Sequence, residues 1–187
     1  MRKSILLIFI IVFSTMIFAC TNNIEKEEEN INMSEKTICG FEDLLKEPKS
    51  DKKQDVENII KIMFFEWYDG QNHNEVAIDI GNKTLYTEPQ INFIDIDEPD
   101  YSMSNDDVKT LFNIINKNNI LNWESNYIEN GEYEDGYSWG LFIQYQDGNV
   151  NSFIGKGQTK ENVVPENFDA FVNEITDFSQ SKAKDAH

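Results

Sequence analysis

Hydrophobic residues in the second half of the chain recur with the period of an α-helix in two places. The first stripe follows Ser104, a residue type suited to a helix start, and consists of Val108, Leu111, Phe112 and Ile115. The second stripe follows Pro165, a favoured first helical residue, and consists of Phe168, Phe171, Val172, Ile175 and Phe178. The pattern therefore predicts two amphipathic helices, and Asn118 and Asn119 predict the end of the first.

Between these helices, the chain alternates in the manner of a β-hairpin. Residues 137–146 and 149–154 flank Asp147-Gly148, a dipeptide typical of two-residue hairpin turns. In this register the facing pairs are Tyr145 with Val150, Ile143 with Ser152, and Leu141 with Ile154. The pairing predicts one buried face of four large residues: Trp139, Leu141, Ile143 and Tyr145.

The preceding segments predict a meander of strands. Residues 59–67 fit both a helical stripe and a buried strand, and the loop-forming residues 69–74 favour the strand. Residues 75–80 alternate, and residues 83–96 form a third extended segment in which Pro89 marks a break or an edge. The order of strands, helix, hairpin and helix predicts an α+β fold, with an antiparallel sheet of about five strands and helices packed on one face.

The N-terminal segment has the composition of a signal peptide. Arg2 and Lys3 precede an apolar stretch that runs to Ala19 and is shorter than a membrane-spanning helix. Residues 20–54 are polar and acidic, and they predict a disordered tether with one short helical turn near residues 39–46. The predicted segments are a signal peptide (1–19), the tether (20–54), one folded domain (55–178) and a disordered tail (179–187).

Ile17-Phe18-Ala19-Cys20 resembles the lipobox of bacterial lipoproteins, in which a small residue directly precedes the cysteine that is lipidated. Ile17 and Phe18 depart from the residues most common at those positions. The resemblance implies lipidation of Cys20 and an extracellular domain anchored to the outer face of the bacterial cytoplasmic membrane. Such an anchor supplies the two or more acyl chains that stable attachment needs. The alternative is an ordinary secretory signal with an incidental cysteine.

Residues 123–178 are similar to the C-terminal half of small uncharacterised lipoproteins from low-GC Gram-positive bacteria. The similarity rests on a strand that contains Trp139, the Asp147-Gly148 turn, Gly155, and the helix start Pro165-Glu166-Asn167-Phe168. It implies the same hairpin and helix that the hydrophobic pattern predicts. No catalytic or binding residue is implied by the resemblance.

The charge of the chain removes one class of partner. The 34 acids outnumber the 16 Lys and Arg, which gives a net charge of −18, and all of the acids follow Ala19. Such a surface repels the phosphates of nucleic acids and also anionic membrane surfaces. We therefore expect no nucleic-acid partner and expect contact with the membrane through the lipid anchor at Cys20. With Cys20 lipidated, Cys39 would have no cysteine partner for an intramolecular disulfide.

Sequence motifs for catalysis are missing. The two histidines form no His-Glu-x-x-His motif, and neither a complete phosphate-binding loop nor a Gly-x-Ser-x-Gly elbow occurs. Acidic clusters at residues 95–100 and 132–135 have the oxygen ligands that calcium favours, but not the pattern of an EF-hand. The sequence therefore predicts no catalytic residue, metal or cofactor, and it indicates a protein that is not an enzyme. A small extracellular hydrolase with a carboxylate pair is the alternative.

Aromatic residues are the remaining candidates for function. Their amphipathic rings suit contacts with peptides or glycans in water. The predicted hairpin register buries Trp139 and Tyr145, which leaves Trp67, Tyr133 and Tyr137 as a possible binding surface. The sequence therefore predicts a non-catalytic binding or interaction module, whose partner is an envelope protein, a peptide or a glycan.

Overall fold

The structure, a computed structural model, describes residues 41–46, 49–50, 52–87, 98–131, 133 and 135–185. All of them belong to the compact unit that spans Met33–His187. The predicted signal peptide, Cys20 and much of the predicted tether lie outside the described residues, so those predictions stay predictions. None of the helices in the described ranges is long and apolar enough to cross a membrane.

The described residues form seven strands and three α-helices. The strands are β1 (Ile59–Tyr68), β2 (Gln71–Asp79), β3 (Thr84–Thr87), β4 (Tyr101–Ser102), β5 (Asn126–Ile128), β6 (Tyr137–Tyr145) and β7 (Val150–Gly157). The α-helices are α1 (Phe41–Lys46), α2 (Asn105–Lys117) and α3 (Phe168–Asp185). Short 3-10 turns lie at Val56–Asn58, Ile120–Asn122 and Lys160–Asn162.

The strands form one sheet in the order β4-β3-β2-β1-β6-β7-β5. Neighbouring strands are antiparallel except β5 and β7, which run parallel. The predicted α+β class is confirmed, but the sheet has seven strands and is mixed, so the prediction of about five antiparallel strands is wrong. The unpredicted strands β4 and β5 have two and three residues, too few to show an alternating pattern.

β1 is the central strand, with β2 on one side and β6 on the other. Its Ile62 and Phe64 pack in the cluster that contains residues of α2 and α3, whereas Met63 packs on the opposite side. All three are buried. Because both faces are covered, the strand is almost continuously apolar, which is why its sequence also fitted a helix. The prediction of a strand at residues 59–67 is confirmed.

The turn after β1 is tighter than the sequence predicted. Asp69 and Gly70 both have positive φ, 50° and 71°, as in a two-residue type I′ hairpin turn. β2 therefore begins at Gln71, and the residues up to Asn74 that were assigned to a loop belong to the strand.

The hairpin of β6 and β7 has a three-residue loop instead of the predicted two-residue turn. Gly148 has the expected positive φ, 80°, but the Tyr145 amide donates to the Asn149 carbonyl, so three residues lie between them. The register shifts by one residue, and Leu141 faces Phe153. The buried face of β6 is still the predicted one, because the shift changes only the partners contributed by β7.

α2 begins as predicted, with Ser104 as its N-cap. The Asp107 amide donates to the Ser104 hydroxyl, and the Asp107 carboxylate accepts from the Ser104 amide. Lys182 of α3 lies 2.8 Å from the same carboxylate. Burial alone would raise the pKa of Asp107, but hydrogen bonds from Lys182 and Ser104 outweigh it and lower the pKa to about 2. This one carboxylate therefore caps α2 and joins it to α3.

α3 differs from its prediction at both ends. Pro165 lies in a turn in which its carbonyl accepts a hydrogen bond from the Phe168 amide. The helix itself begins at Phe168. The helix continues to Asp185 through residues that were predicted as a disordered tail, and Ser179 is buried. The ion pair of Lys182 with the cap of α2 gives a physical reason, because it holds the last turns of α3 in place.

α1 lies in the segment that was predicted as a tether, and it packs on the face of the sheet opposite α2 and α3. Leu44 is 2% exposed. It belongs to a hydrophobic cluster with Met63, Ala77, Phe142 and Val150. The Ser50 amide also donates to the Val150 carbonyl. These long-range contacts order a part of the chain whose local composition indicates disorder.

Candidate functional site

Three neighbouring strands bring their ends together at one end of the sheet. Here β1 ends at Tyr68, β6 begins at Tyr137 and β7 ends at Gly157. Successive side chains of a strand point to opposite sides, so this end has two surfaces. We call the side that α2 and α3 cover the helix face, and the side on which α1 packs the back face.

A β-bulge at His73 decides which side chains of β2 reach each face. Glu66 pairs with Asn74, whereas the next residue, Trp67, pairs with Asn72, so His73 is the extra residue. In a regular strand, Asn72 and Asn74 would point the same way. The bulge instead puts Asn74 opposite Glu66 on the helix face and Asn72 opposite Trp67 on the back face.

The helix face of this end carries a polar cluster, the Glu66 cluster, which consists of Glu66, Asn74, Tyr137, Lys160 and Asp169. Glu66 Oε1 accepts a hydrogen bond from the Tyr137 hydroxyl and lies 3.1 Å from Lys160 Nζ. Glu66 Oε2 accepts from Asn74 Nδ2 at 2.6 Å. Lys160 Nζ also lies 2.7 Å from Asp169 Oδ1. Glu66 is 2% exposed, and both oxygens of this buried carboxylate have hydrogen-bond partners, as buried polar groups generally do.

The electrostatics of the Glu66 cluster fit a structural role. Burial, together with the hydrogen bond to Glu66, raises the pKa of Tyr137. Burial alone would lower the pKa of Lys160, but its hydrogen bonds to Asp169 and Glu66 outweigh that effect and raise the pKa. At neutral pH the phenol is therefore neutral and the amine is a cation, so neither is an activated nucleophile. Lys160 Nζ lies within 3.1 Å of a carboxylate oxygen of both Glu66 and Asp169, so one cation joins the two acids.

The back face of the same end carries a row of side chains from five adjacent strands. The registers place Asn72 beside Trp67, Trp67 beside Ser138, Ser138 beside Lys156, and Lys156 beside Ile128. We call these five residues the Trp67 row. Neighbouring strands lie about 4.8 Å apart, so the row extends for about 19 Å across the sheet.

Four of the five residues of the Trp67 row are exposed, Ser138 is half-buried, and the polar side chains of the row are unpaired. Trp67 is 39% exposed and Ile128 is 53% exposed. Within the ranges that the structure describes, no side-chain hydrogen bond or ion pair involves Asn72, Ser138 or Lys156, and no aromatic ring contacts Trp67. The row therefore presents unused hydrogen-bonding groups and a partly exposed indole ring to solvent.

In the three central strands β1, β6 and β7, exposure on the back face falls with distance from the Trp67 row. In the next row, Phe65 and Ile154 are half-buried, and Gly140 lies between them. The Phe65 and Phe142 rings stack near Gly140, and a Cβ on this glycine would lie within 2.8 Å of both. Met63, beyond them, is 0% exposed. On the back face of β1, β6 and β7, exposure is therefore greatest in the end row, and Asn126 of β5, beside Ile154, is exposed as well.

The structure places the predicted aromatic candidates in different surroundings. Trp67 is a surface residue of the Trp67 row. Tyr133 is partly exposed, and its hydroxyl donates to the Asn130 carbonyl at 3.1 Å. Tyr137 is 6% exposed, so its prediction as a surface residue is wrong. Tyr137 and Trp139 are two residues apart in β6, so both side chains point to the helix face. Cys20 lies outside the described residues.

Sequence reasoning missed the residues that surround Trp67, namely Asn72, Ser138, Lys156 and Ile128. They come from four different strands, and their alignment depends on the bulge at His73 and on the parallel pairing of β5. Neither feature has a local signature in the sequence. The one available signal was the alternation of Ser138 with Trp139, which places the serine on the opposite face from the buried tryptophan.

No metal site emerges from the residues that the structure describes, because no three His, Cys, Asp or Glu side chains there form a group that could hold an ion. Asp100, from one predicted acidic cluster, accepts hydrogen bonds from the amide and hydroxyl of Thr87. Asp95 and Asp97 lie outside the described residues, as do Glu132 and Glu134.

Comparison with known proteins adds no family. No protein-family model, curated protein or solved structure matches the chain. The function must therefore be inferred from the residues and the geometry of this chain.

Proposed function

We propose that this chain is a lipid-anchored extracellular protein of the bacterial cytoplasmic membrane, and that its folded domain is a non-catalytic binding module. The Trp67 row carries the proposal, because its ring and polar groups have no partner within the described chain. Exposed groups of this kind add little to stability, and their concentration in one row favours contact with a partner. The Glu66 cluster supports it indirectly, since its polar groups are already used within the fold.

Sequence features support the anchor. Cys20 directly follows Ala19 at the end of an apolar stretch of signal-peptide length, in the arrangement that resembles a lipobox. The polar residues that follow Cys20 would give the folded domain distance from the lipid headgroups.

Metabolic labelling with a fatty-acid probe tests the anchor. We expect label on the wild-type chain and none on Cys20→Ala. The matched control is Cys39→Ala, which removes the other cysteine and keeps the label. Equal labelling of Cys20→Ala and the wild type would contradict lipidation at this residue.

Capture of envelope components by the full chain tests the binding module. We expect the wild-type chain to retain a component of the producing cell's envelope and Trp67→Ala to lose it. Leu45→Ala is the control, because Leu45 is also an exposed large hydrophobic residue, 43% exposed, but lies in α1. Retention by Trp67→Ala at the wild-type level would place binding elsewhere, and failure of the wild type to retain any component would reject the module.

A further inference from the structure

We propose that the ligand of the Trp67 row is an uncharged glycan chain that lies across the strands. This inference rests on the proposed binding function and names the class of its ligand. It begins with the ring of Trp67, which is 39% exposed and contacts no aromatic ring among the described residues. An exposed indole offers an apolar face to the C–H groups of a pyranose ring and an N–H donor to its oxygens.

The polar members of the row supply the hydrogen bonds that sugar hydroxyls require. Asn72 has both donor and acceptor groups, and so has the hydroxyl of Ser138. Both flank Trp67 on neighbouring strands, and neither has a side-chain partner in the described chain. The strands are about 4.8 Å apart, an interval close to the length of one pyranose unit in a β-linked chain. Successive units can therefore meet successive members of the row.

Charge selects an uncharged chain. The protein carries a net charge of −18, so its field repels a polyanion such as an acidic wall polymer. The same field attracts a polycation at long range, but Lys156, the one charged member of the row, is exposed, so a cationic segment lying along the row would meet a like charge at close range. An uncharged polyhydroxyl chain meets neither repulsion.

The position of the row within the sheet argues against a peptide or protein partner. Trp67, Ser138 and Lys156 lie on strands that have neighbours on both sides, so the backbone groups there are used in the ladders. A peptide could not add to the sheet as a further strand at these positions. A stable protein interface buries about 800 Å² on each partner, whereas the large apolar side chains that the row exposes are Trp67 and Ile128.

Titration of the purified full chain tests the proposal. The probes are uncharged hexasaccharides of glucose, N-acetylglucosamine, galactose and mannose, with hyaluronan as the polyanion and oligolysine as the polycation. Calorimetry measures binding. Tryptophan fluorescence of the wild type, compared with that of Trp67→Phe, reports stacking on Trp67, because the partly exposed Trp123 and the buried Trp139 are present in both. We expect at least one uncharged hexasaccharide to bind and to change the fluorescence. Neither hyaluronan nor oligolysine should bind more tightly than that hexasaccharide.

Variants assign the binding to the row. We expect Trp67→Ala to weaken binding tenfold or more, Trp67→Phe to retain part of it, and Ser138→Ala to weaken it about threefold. Leu45→Ala should bind as the wild type does, and circular dichroism should show that each variant is folded. Equal affinity in Trp67→Ala and the wild type would overturn the proposal.

The two proposals can fail separately. If no uncharged hexasaccharide binds but the chain still retains an envelope component through Trp67, the glycan class is wrong and the binding module stands. If oligolysine binds in place of the sugars, a cationic partner replaces the glycan. If neither sugars nor envelope components are retained, both proposals are rejected.

Discussion

The helix face and the back face at one end of the sheet use similar residue types for opposite purposes. On the helix face, the carboxylate of Glu66 is buried and paired with Tyr137, Asn74 and Lys160. On the back face, Trp67 directly follows Glu66 in β1, Ser138 directly follows Tyr137 in β6, and Lys156 pairs with Ser138. Trp67 and Lys156 are exposed and Ser138 is half-buried, and the polar side chains of Ser138 and Lys156 are unpaired. The difference arises from the alternation of side chains across the sheet rather than from composition.

This comparison teaches that polarity alone does not mark a functional site. A buried polar group without a partner costs about 1–3 kcal/mol, so the Glu66 cluster needs all of its contacts for stability. Exposed polar groups are solvated by water and stabilise the fold very little. The unpaired row can therefore serve recognition at little cost to folding, whereas the paired cluster cannot change without weakening the fold.

The two tryptophans of these faces give the largest expected difference. Trp139 is 1% exposed, and its Nε1–H donates to the Val163 carbonyl at 2.7 Å. We expect Trp139→Ala to lower the free energy of unfolding by about 4 kcal/mol, because it leaves a cavity and an unpaired carbonyl. Trp67→Ala should cost about 1 kcal/mol, because part of that ring is already in water. Urea unfolding of both variants measures the difference, and equal losses would contradict the comparison.

The two lysines give the next largest difference. Lys160→Met removes the cation that holds Glu66 and should lower the free energy of unfolding by about 2 kcal/mol, because a buried carboxylate loses a partner. Lys156→Met is the matched control on the back face and should change stability by less than about 0.5 kcal/mol. Denaturation of each variant at pH 7 compares them. Adding Glu66→Gln should restore part of the loss in Lys160→Met, and independent effects of the two changes would show that they are not coupled.

Alkaline pH should lower the free energy of unfolding through two groups of the helix face, Tyr137 and Lys160. The pKa of Tyr137 and that of Lys160 are both raised in the fold, so their contributions are complete below about pH 10 and are lost as pH rises. A single raised pKa changes stability by at most about 1.4 kcal/mol per pH unit in this range. The free energy of unfolding should be measured between about pH 9 and 12, the approximate titration range of these groups. Its fall with pH should be less steep for Tyr137→Phe than for the wild type. Trp67→Phe, which removes no ionisable group, should keep the wild-type slope, and an unchanged slope in Tyr137→Phe would contradict this assignment.

The smallest expected effect is that of Ser138→Ala on stability. The hydroxyl has no side-chain partner among the described residues, so thermal unfolding should shift by the equivalent of less than about 0.5 kcal/mol. Asn74→Ala on the other face removes a 2.6 Å bond to buried Glu66 and should cost about 1 kcal/mol. A loss in Ser138→Ala as large as that in Asn74→Ala would show that the row is part of the structural framework.

Local patterns predicted the elements whose signals lie within a few residues. Ser104 begins α2, the stripe from Phe168 to Phe178 is buried, and Gly148 takes a positive φ. Each of these features depends on the intrinsic geometry of the helix or turn, which neighbouring residues set by themselves. The α+β class followed from the order of these elements along the chain.

Features that depend on distant contacts could not be predicted in this way. The last turns of α3 are held by the ion pair of Lys182 with Asp107, and α1 is held by the burial of Leu44 against the sheet. β5 exists because it pairs with β7, and three residues alone do not form a strand. In each case the entropy of ordering a short segment is offset only by contacts with residues far away in the sequence.

The sequence by itself determined that the chain is acidic, that it carries a lipobox-like cysteine, and that its strands and helices have the buried faces observed in β6, α2 and α3. Only the tertiary structure decided that the Tyr137 hydroxyl meets Glu66, and that Trp67 lies in a row with residues of four other strands. The physical reason is register. Alternation along one strand is a local property, whereas the partner across the sheet is set by turns, by the bulge at His73 and by packing of the whole core.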